Sequence, residues 1–419
     1  MLRYGNPPLE TSSSVDNYKW IILLLLSSSH FLMAMCHFSW GPLGPILKAE
    51  FDINNRQLGY VISLMYLSMV VVSIPAGILV DRHGVKWFLF LSSLMVGLGI
   101  FIIPFCSSYS YTAIAAVMIG VGYGMINQIT TKGIISWFEP LERGTIMGIK
   151  QMGVTIGGGL IGIYIPLLGF YIVWKNAIFL LGGLVIVIAI VSPFLYKENP
   201  GKNPDLADEI GTSKVKKNQS PKGSLKDVLL GRRLLVVTLL SSLLAFCQAS
   251  SASFLVVFAK ETFTITQLFA GSLLTVAMAG GTFGRIVFGI ISDRTMKGDR
   301  ILPLALISLI GSIASWLLAL CGSGTPIFAI IAISGALGVS FMGWNSLGMV
   351  LLAEMAGSKH VGSALGVVFT AAWGAMVLGP SIFGFLADRS GYSAGWGMLA
   401  VLSFLTFSGF MCLHRKPNF

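Results

Sequence analysis

Charge is what this sequence has least of. Asp, Glu, Lys and Arg together fill only 11% of its 419 positions, against 55% hydrophobic residues, a ratio that excludes an ordinary water-soluble domain. The seventeen acidic residues fall in tails, loops or the ends of apolar runs, so no carboxylate is expected deep inside one. The five cysteines, Cys36, Cys106, Cys247, Cys321 and Cys412, show no CxxC spacing and lie in apolar segments, which leaves them a packing role. No metal-spaced His/Cys cluster, buried carboxylate or nucleophile–base pair is present, so neither an enzyme, a cofactor nor a metal site is expected. A secretory leader is also missing: residues 1–18 are polar and precede a long apolar span, and they read as a cytosolic tail. The net charge of +11 is spread over short loops with no soluble domain to gather it into a patch, which argues against nucleic acid.

What is present is a series of apolar runs long enough to cross a bilayer as helices. They fall near 19–47, 56–80, 85–106, 111–138, 143–170 and 173–196, then 232–260, 266–293, 300–322, 325–354, 361–387 and 392–413. The chain is therefore expected to be an all-α membrane protein of twelve transmembrane helices in two pseudo-symmetric six-helix bundles, 19–196 and 232–413. Residues 197–231, rich in Lys, Asp, Asn, Gly, Pro and Ser, read as a charged cytosolic linker, and 414–419 as a short cytosolic tail. With both termini inside, most Lys and Arg fall in cytoplasmic segments, while Lys48, Arg56, Lys175, Lys260 and Arg389 fall outside, as the positive-inside tendency requires. The bilayer is the expected partner, in a bacterial inner membrane, with the chain as a monomer.

The halves repeat. A shift of 212 carries Lys48 onto Lys260, Gly59 onto Gly271, Gly77 onto Gly289, Asp81 onto Asp293 and Arg82 onto Arg294. A shift of 218 carries Gly120 onto Gly338, Asn127 onto Asn345, Gly144 onto Gly362 and Gly148 onto Gly366. Fixed registers over successive helices indicate two parallel repeats, an arrangement of transporters with sites at the bilayer midplane.

The string GILVDRHGVK from Gly77 to Lys86 matches the G-x-x-x-D-R-x-G-x-K loop between helices 2 and 3 of the major facilitator superfamily, with a reduced copy, GIISDR, at Gly289–Arg294. On these motifs the chain resembles that superfamily over residues 19–413. The resemblance implies alternating access, with Gly77, Asp81, Arg82, Gly289, Asp293 and Arg294 in a gate. Asp81 is expected to meet the positive N-terminus of a facing helix and latch the halves together; the alternative is a solvated turn that only sets topology. Helix 5 reads GVTIGGGLIGIYIP without a Pro after Gly157, which departs from the efflux pattern.

Charges inside the spans carry the functional reading. Lys132 in helix 4 and Arg285 in helix 8 stand about 12 Å from the cytoplasmic helix ends at 1.5 Å per residue, and no acidic residue of the sequence falls at that depth. Two unpaired buried cations, one from each half, call for an anionic ligand. Arg can hold a carboxylate by two parallel hydrogen bonds and Lys supplies a compact charge. Each has a second reading: Arg285 bonding backbone carbonyls or reaching toward Asp293, and Lys132 snorkelling to the interface. RIVFGIISD resembles helix 8 of monocarboxylate and oxalate–formate transporters, and KGIISWF resembles helix 4 of anion:cation symporters, which implies substrate contact for both. Ser73 stands where nitrate transporters have Arg, and Ala371, Ala372 and Trp373 where oxalate transporters have Lys, so neither substrate is favoured.

Asn127 and Asn345, related by the repeat, lie about one turn deeper and are expected to flank the ligand or to bond between helices. His37 is the deepest histidine, with His30 nearer the inside; it is expected to carry a proton or to sit neutral in the packing. Tyr123, Gln128, Gln151, Trp344 and Trp373 are further candidates for the cavity wall. The expected function is secondary active transport of a small organic anion, a carboxylate, with protons. Anion exchange, drug or metabolite export and a transporter-derived sensor are the alternatives.

Overall fold

A computed structural model describes residues 12–139, 142–198 and 231–415; most of the expected linker (199–230) and the chain ends lie outside the described residues. Among the described residues, twelve helices are long and apolar enough to span a bilayer: α1 Asn17–Phe51, α2 Asn55–His83, α3 Lys86–Phe105, α4 Tyr109–Trp137, α5 Thr145–Tyr171, α6 Trp174–Leu195, α7 Arg232–Thr262, α8 Gln267–Thr295, α9 Ile301–Leu320, α10 Ile327–Leu352, α11 Thr370–Ser390 and α12 Tyr392–Arg415. No strand forms among the described residues, since in lipid a helix satisfies every backbone group within its own segment.

The irregularities have local causes. The helix of α1 breaks at Ser39, just before Pro42 and Pro45, and that of α10 breaks between Phe341 and Asn345, at Gly343. The end of α8, Ile291–Thr295, widens into a π-helical turn that carries Asp293 and Arg294. The break expected between 354 and 361 is not seen, because Asn345–Ser390 is helical throughout. The intervening Met-Ala-Gly-Ser-Lys-His contains no proline to stop it.

Two six-helix halves meet along three pairs: α2 with α11, α5 with α8, and the end of α1 with α7. One membrane face carries the start of α1 and the end of α12; the opposite face, called the far face below, is where the halves are bolted together. There Lys48 Nζ lies 2.6 Å from Glu261 Oε1 and donates to Asn55 Oδ1 at 2.8 Å. The Tyr392 hydroxyl joins the same Asn55 and Glu261 at 2.9 and 2.8 Å. Asp388 of α11 accepts from the Asn55 and Arg56 amides, at 3.0 and 2.7 Å, and so caps the N-terminus of α2 in the other half. Deeper in, Ser381 Oγ donates to Ser63 Oγ at 2.6 Å and Thr275 Oγ1 to Gly159 O at 2.7 Å. Side chains are excluded from the α2–α11 seam: a Cβ on Gly59 would strike the Pro380 carbonyl, and one on Gly384 the Asn55 carbonyl.

On the face with the start of α1 and the end of α12, the ion pairs among the described residues stay inside one half: Lys19–Glu142, Lys132–Asp81, Arg300–Asp293 and Arg300–Glu354, and His414 Nδ1 lies 2.9 Å from Asp299 Oδ2. The conformation is closed at the far face.

Candidate functional site

Arg285 points from α8 into the protein, where its Nε donates to the Met342 carbonyl at 3.0 Å, at the break in α10. That bond fixes the guanidinium through one edge. Its two terminal nitrogens have no hydrogen-bond partner among the described residues, and no carboxylate pairs with it. They are not sealed in the core as unsatisfied atoms either. The fork is oriented and available. Its charge is felt by Tyr123 of α4 in the other half.

Tyr123 stacks flat on His37, with ring centroids 4.3 Å apart and planes at 9°. Tyr66 meets His37 edge-on at 5.4 Å, and this histidine is buried among aromatics at 6% exposure with Nδ1 unpartnered. A space the size of a water molecule adjoins it, lined also by Trp40, Gly41 and Ser253. One turn along α4, Asn127 offers Oδ1 to the ammonium of Lys150 at 3.5 Å. In the other half, Asn345 Nδ2 and Trp344 Nε1 both donate to Gln248 Oε1, at 3.2 and 3.1 Å. This fixes Asn345 against α7. The structure thus gathers Arg285, Tyr123, His37, Asn127 and Lys150 around α4, with Asn345 held on the C-terminal half.

Lys132 does not join them. Its ammonium donates to Val80 O at 2.6 Å and lies 3.5 Å from Asp81 Oδ1, so the expectation of an uncompensated cation is corrected. The stem reaches from α4 toward the membrane edge, where Asp81 is 76% exposed, which is the snorkelling that a four-carbon chain permits. Asp81 likewise does not reach a helix N-terminus in the other half. Within the N-terminal half it is Glu198 that caps a helix: its Oε1 accepts from the Val85 and Lys86 amides at 2.7 and 3.1 Å, at the start of α3. Gly84, at φ +86°, makes room for it, since a Cβ there would meet the Glu198 carboxylate and strain the backbone. In the repeat, Asp293 pairs with Arg300, which also holds Glu354 at 3.3 Å. The Asp293 hydrogen bond, ahead of Glu354, raises the Arg300 pKa above its ordinary value. Gly77 faces Gln128, which bonds Ser73 Oγ at 2.9 Å. The other motif residues, Arg82, Gly289 and Arg294, lie at the same membrane face as Asp81.

Two residues escaped the sequence reading. Lys150 is 4% exposed and lies about two turns inside α5, the depth that singled out Lys132; a count of positive loops absorbs it. Asp388 lies in a third G-x-x-x-D-R string, Gly384–Arg389, legible in the sequence and placed at the far face.

The family model described as Major Facilitator Superfamily matches residues 26–350. The chain is similar to the probable sulfoacetate transporter SauU of Cupriavidus necator, 25% identical with 88% of each chain covered. It is also similar to the probable galactarate/D-glucarate transporter GudP of Escherichia coli, 25% identical with 93% of each covered. Among solved structures, a bacterial homologue of the human lysosomal transporter Spinster, in an inward-facing and occupied conformation, superposes with a TM-score of 0.78 at 14% identity. The match covers 95% of this chain and 97% of that one, and it shows the fold.

Proposed function

The chain belongs to the major facilitator superfamily, and from that premise we propose that it carries a small organic anion, a carboxylate, across the bacterial inner membrane by alternating access, with protons as the coupling ion. The observation that carries this reading is Arg285: a guanidinium inside the membrane protein, anchored by Nε and with its terminal nitrogens free of protein partners among the described residues. An unpaired cation at that depth costs several kcal/mol unless a ligand or water answers it, and two parallel N–H donors match a carboxylate. Relatives named for sulfoacetate and for galactarate or glucarate fit a small organic acid. The Lys/Arg bias puts the chain ends in the cytoplasm, so the far-face closure is the inward-facing state. Release of that closure, with the polar 197–231 segment joining the two rocking bundles, opens the outward state. His37 is the candidate proton carrier, and Asp81, Arg82, Asp293 and Arg294 belong to the cytoplasmic gate.

The test is stabilisation of the purified protein by a panel of mono- and dicarboxylates, sugar acids and organophosphates, since a ligand that binds only the folded state raises the melting temperature by mass action. Arg285→Ala is expected to fold, to lose that response and to lose transport. Removing a charge-assisted pair of this kind weakens binding by roughly ten- to 150-fold. A variant that keeps the parent's response refutes the assignment.

A further inference from the structure

We infer that the N-terminal half holds a second anion subsite, made by Lys150 with His30 and Asn127, and that the substrate therefore carries two acidic groups. This rests on the reading of Arg285 given above. Lys150 is 4% exposed, and among the described residues its only polar contact is Asn127 Oδ1 at 3.5 Å, the outer limit of a hydrogen bond. An ammonium has three donors, so two are left without an acceptor and the charge without a counter-ion. Beside it His30 is 1% exposed, with both ring nitrogens buried and unpartnered, and it interacts electrostatically with Lys150. Whatever its tautomer, a neutral imidazole keeps one N–H to donate.

Placement is consistent from three directions. Gly153, one turn beyond Lys150 on α5, packs against Ser27 and Phe31 of α1, the stretch that carries His30. His30 also lies 5.9 Å from the Tyr123 ring, centroid to centroid. Asn127, which Lys150 touches, stands one turn from Tyr123 on α4, and Tyr123 is the residue coupled to Arg285. Lys150 thus reaches α4 one turn from the Tyr123–His37 stack, and the two cations come one from each half. Buried donors that converge with positive charge cannot satisfy one another, and water supplies no counter-charge. An acidic group does both.

A dianion held this way touches both bundles. A monoanion on Arg285 would leave Lys150 and His30 as they are, whereas a dianion gains its second group's binding only in states that bring the halves together, which is the differential affinity that shifts a conformational equilibrium.

The experiment compares matched pairs on the full-length protein in nanodiscs at one pH: succinate against butyrate, malonate against propionate, and 3-sulfopropanoate against propionate. At least one dianion is expected to bind roughly tenfold or more tightly than its mate, the order set by one charge-assisted hydrogen bond. Lys150→Gln should erase that difference, and Lys150→Arg should retain part of it. Monoanions that bind as well as their mates in the parent protein overturn the inference, as does a difference that survives Lys150→Gln. Should that variant not fold, the parent's ratio decides alone. Dianion binding that depends on Arg285 but not on Lys150 removes only the second subsite; no binding of either class removes the anion reading with it.

Discussion

Asp388→Asn is expected to loosen the far-face closure without touching the ligand site. In the parent, the carboxylate accepts two backbone amides at the N-terminus of α2, at 3.0 and 2.7 Å, and adds a full negative charge to the positive end of a helix in the opposite half. The amide keeps one acceptor and loses the charge. A charge at an exposed helix end contributes about 0.3–1 kcal/mol, and a hydrogen bond to a charged group more when buried. Because Asp388 is exposed, solvent screening holds the sum to about 0.5–1.5 kcal/mol, roughly a two- to twelvefold shift away from the closed state. Spin labels at Tyr171 and Ser390, both exposed at far-face helix ends of opposite halves, would report it in a background with the five native cysteines replaced. The longer-distance population should grow in the variant, while Asp81→Asn, at the other face, should not enlarge it. An unchanged distance distribution in Asp388→Asn refutes the reasoning.

Two further outcomes follow from the same contacts. Lys132→Met and Asp81→Asn should show a coupling of about 0–1 kcal/mol in a double-mutant cycle on thermal stability, as for a partly exposed pair, with ligand affinity near that of the parent. A large loss of affinity in Lys132→Met would return that residue to the site. In proteoliposomes with an acidic exterior, His37→Gln should keep binding and exchange but lose accumulation driven by the pH gradient. Undiminished accumulation would mean the proton travels with the substrate, and uptake that needs only a counter-anion inside would point to exchange.

The spans were legible because a bilayer leaves a chain few choices: long apolar runs must be helices, and their lengths follow from its thickness. The ends were less so. α1 extends to Phe51, beyond the expected 47, because Lys48 finds acceptors on Asn55 and Glu261 and need not leave the helix to stay solvated. Partners distant in sequence were not legible at all. Nothing in the spacing shows Asp81 under Lys132, or Glu198 rather than Asp81 on a helix end. Arg285 stood out from one string, and the structure adds what no string contains: which edge of the guanidinium is occupied. Lys150 was hidden by its own charge, since a cation near a helix end reads first as a topology signal.

The α2–α11 seam has a consequence for how such a protein diversifies. Where Gly59 meets Pro380 and Gly384 meets Asn55, main chain rests on main chain, so the closed position is set by backbones and is indifferent to side-chain rotamers. The candidate site residues Arg285, Tyr123, Asn127 and Lys150 sit on other helices, α8, α4 and α5. Residues there can be exchanged to suit a new cargo while the stop against which the halves close keeps its dimensions. Selectivity and stroke are separately heritable.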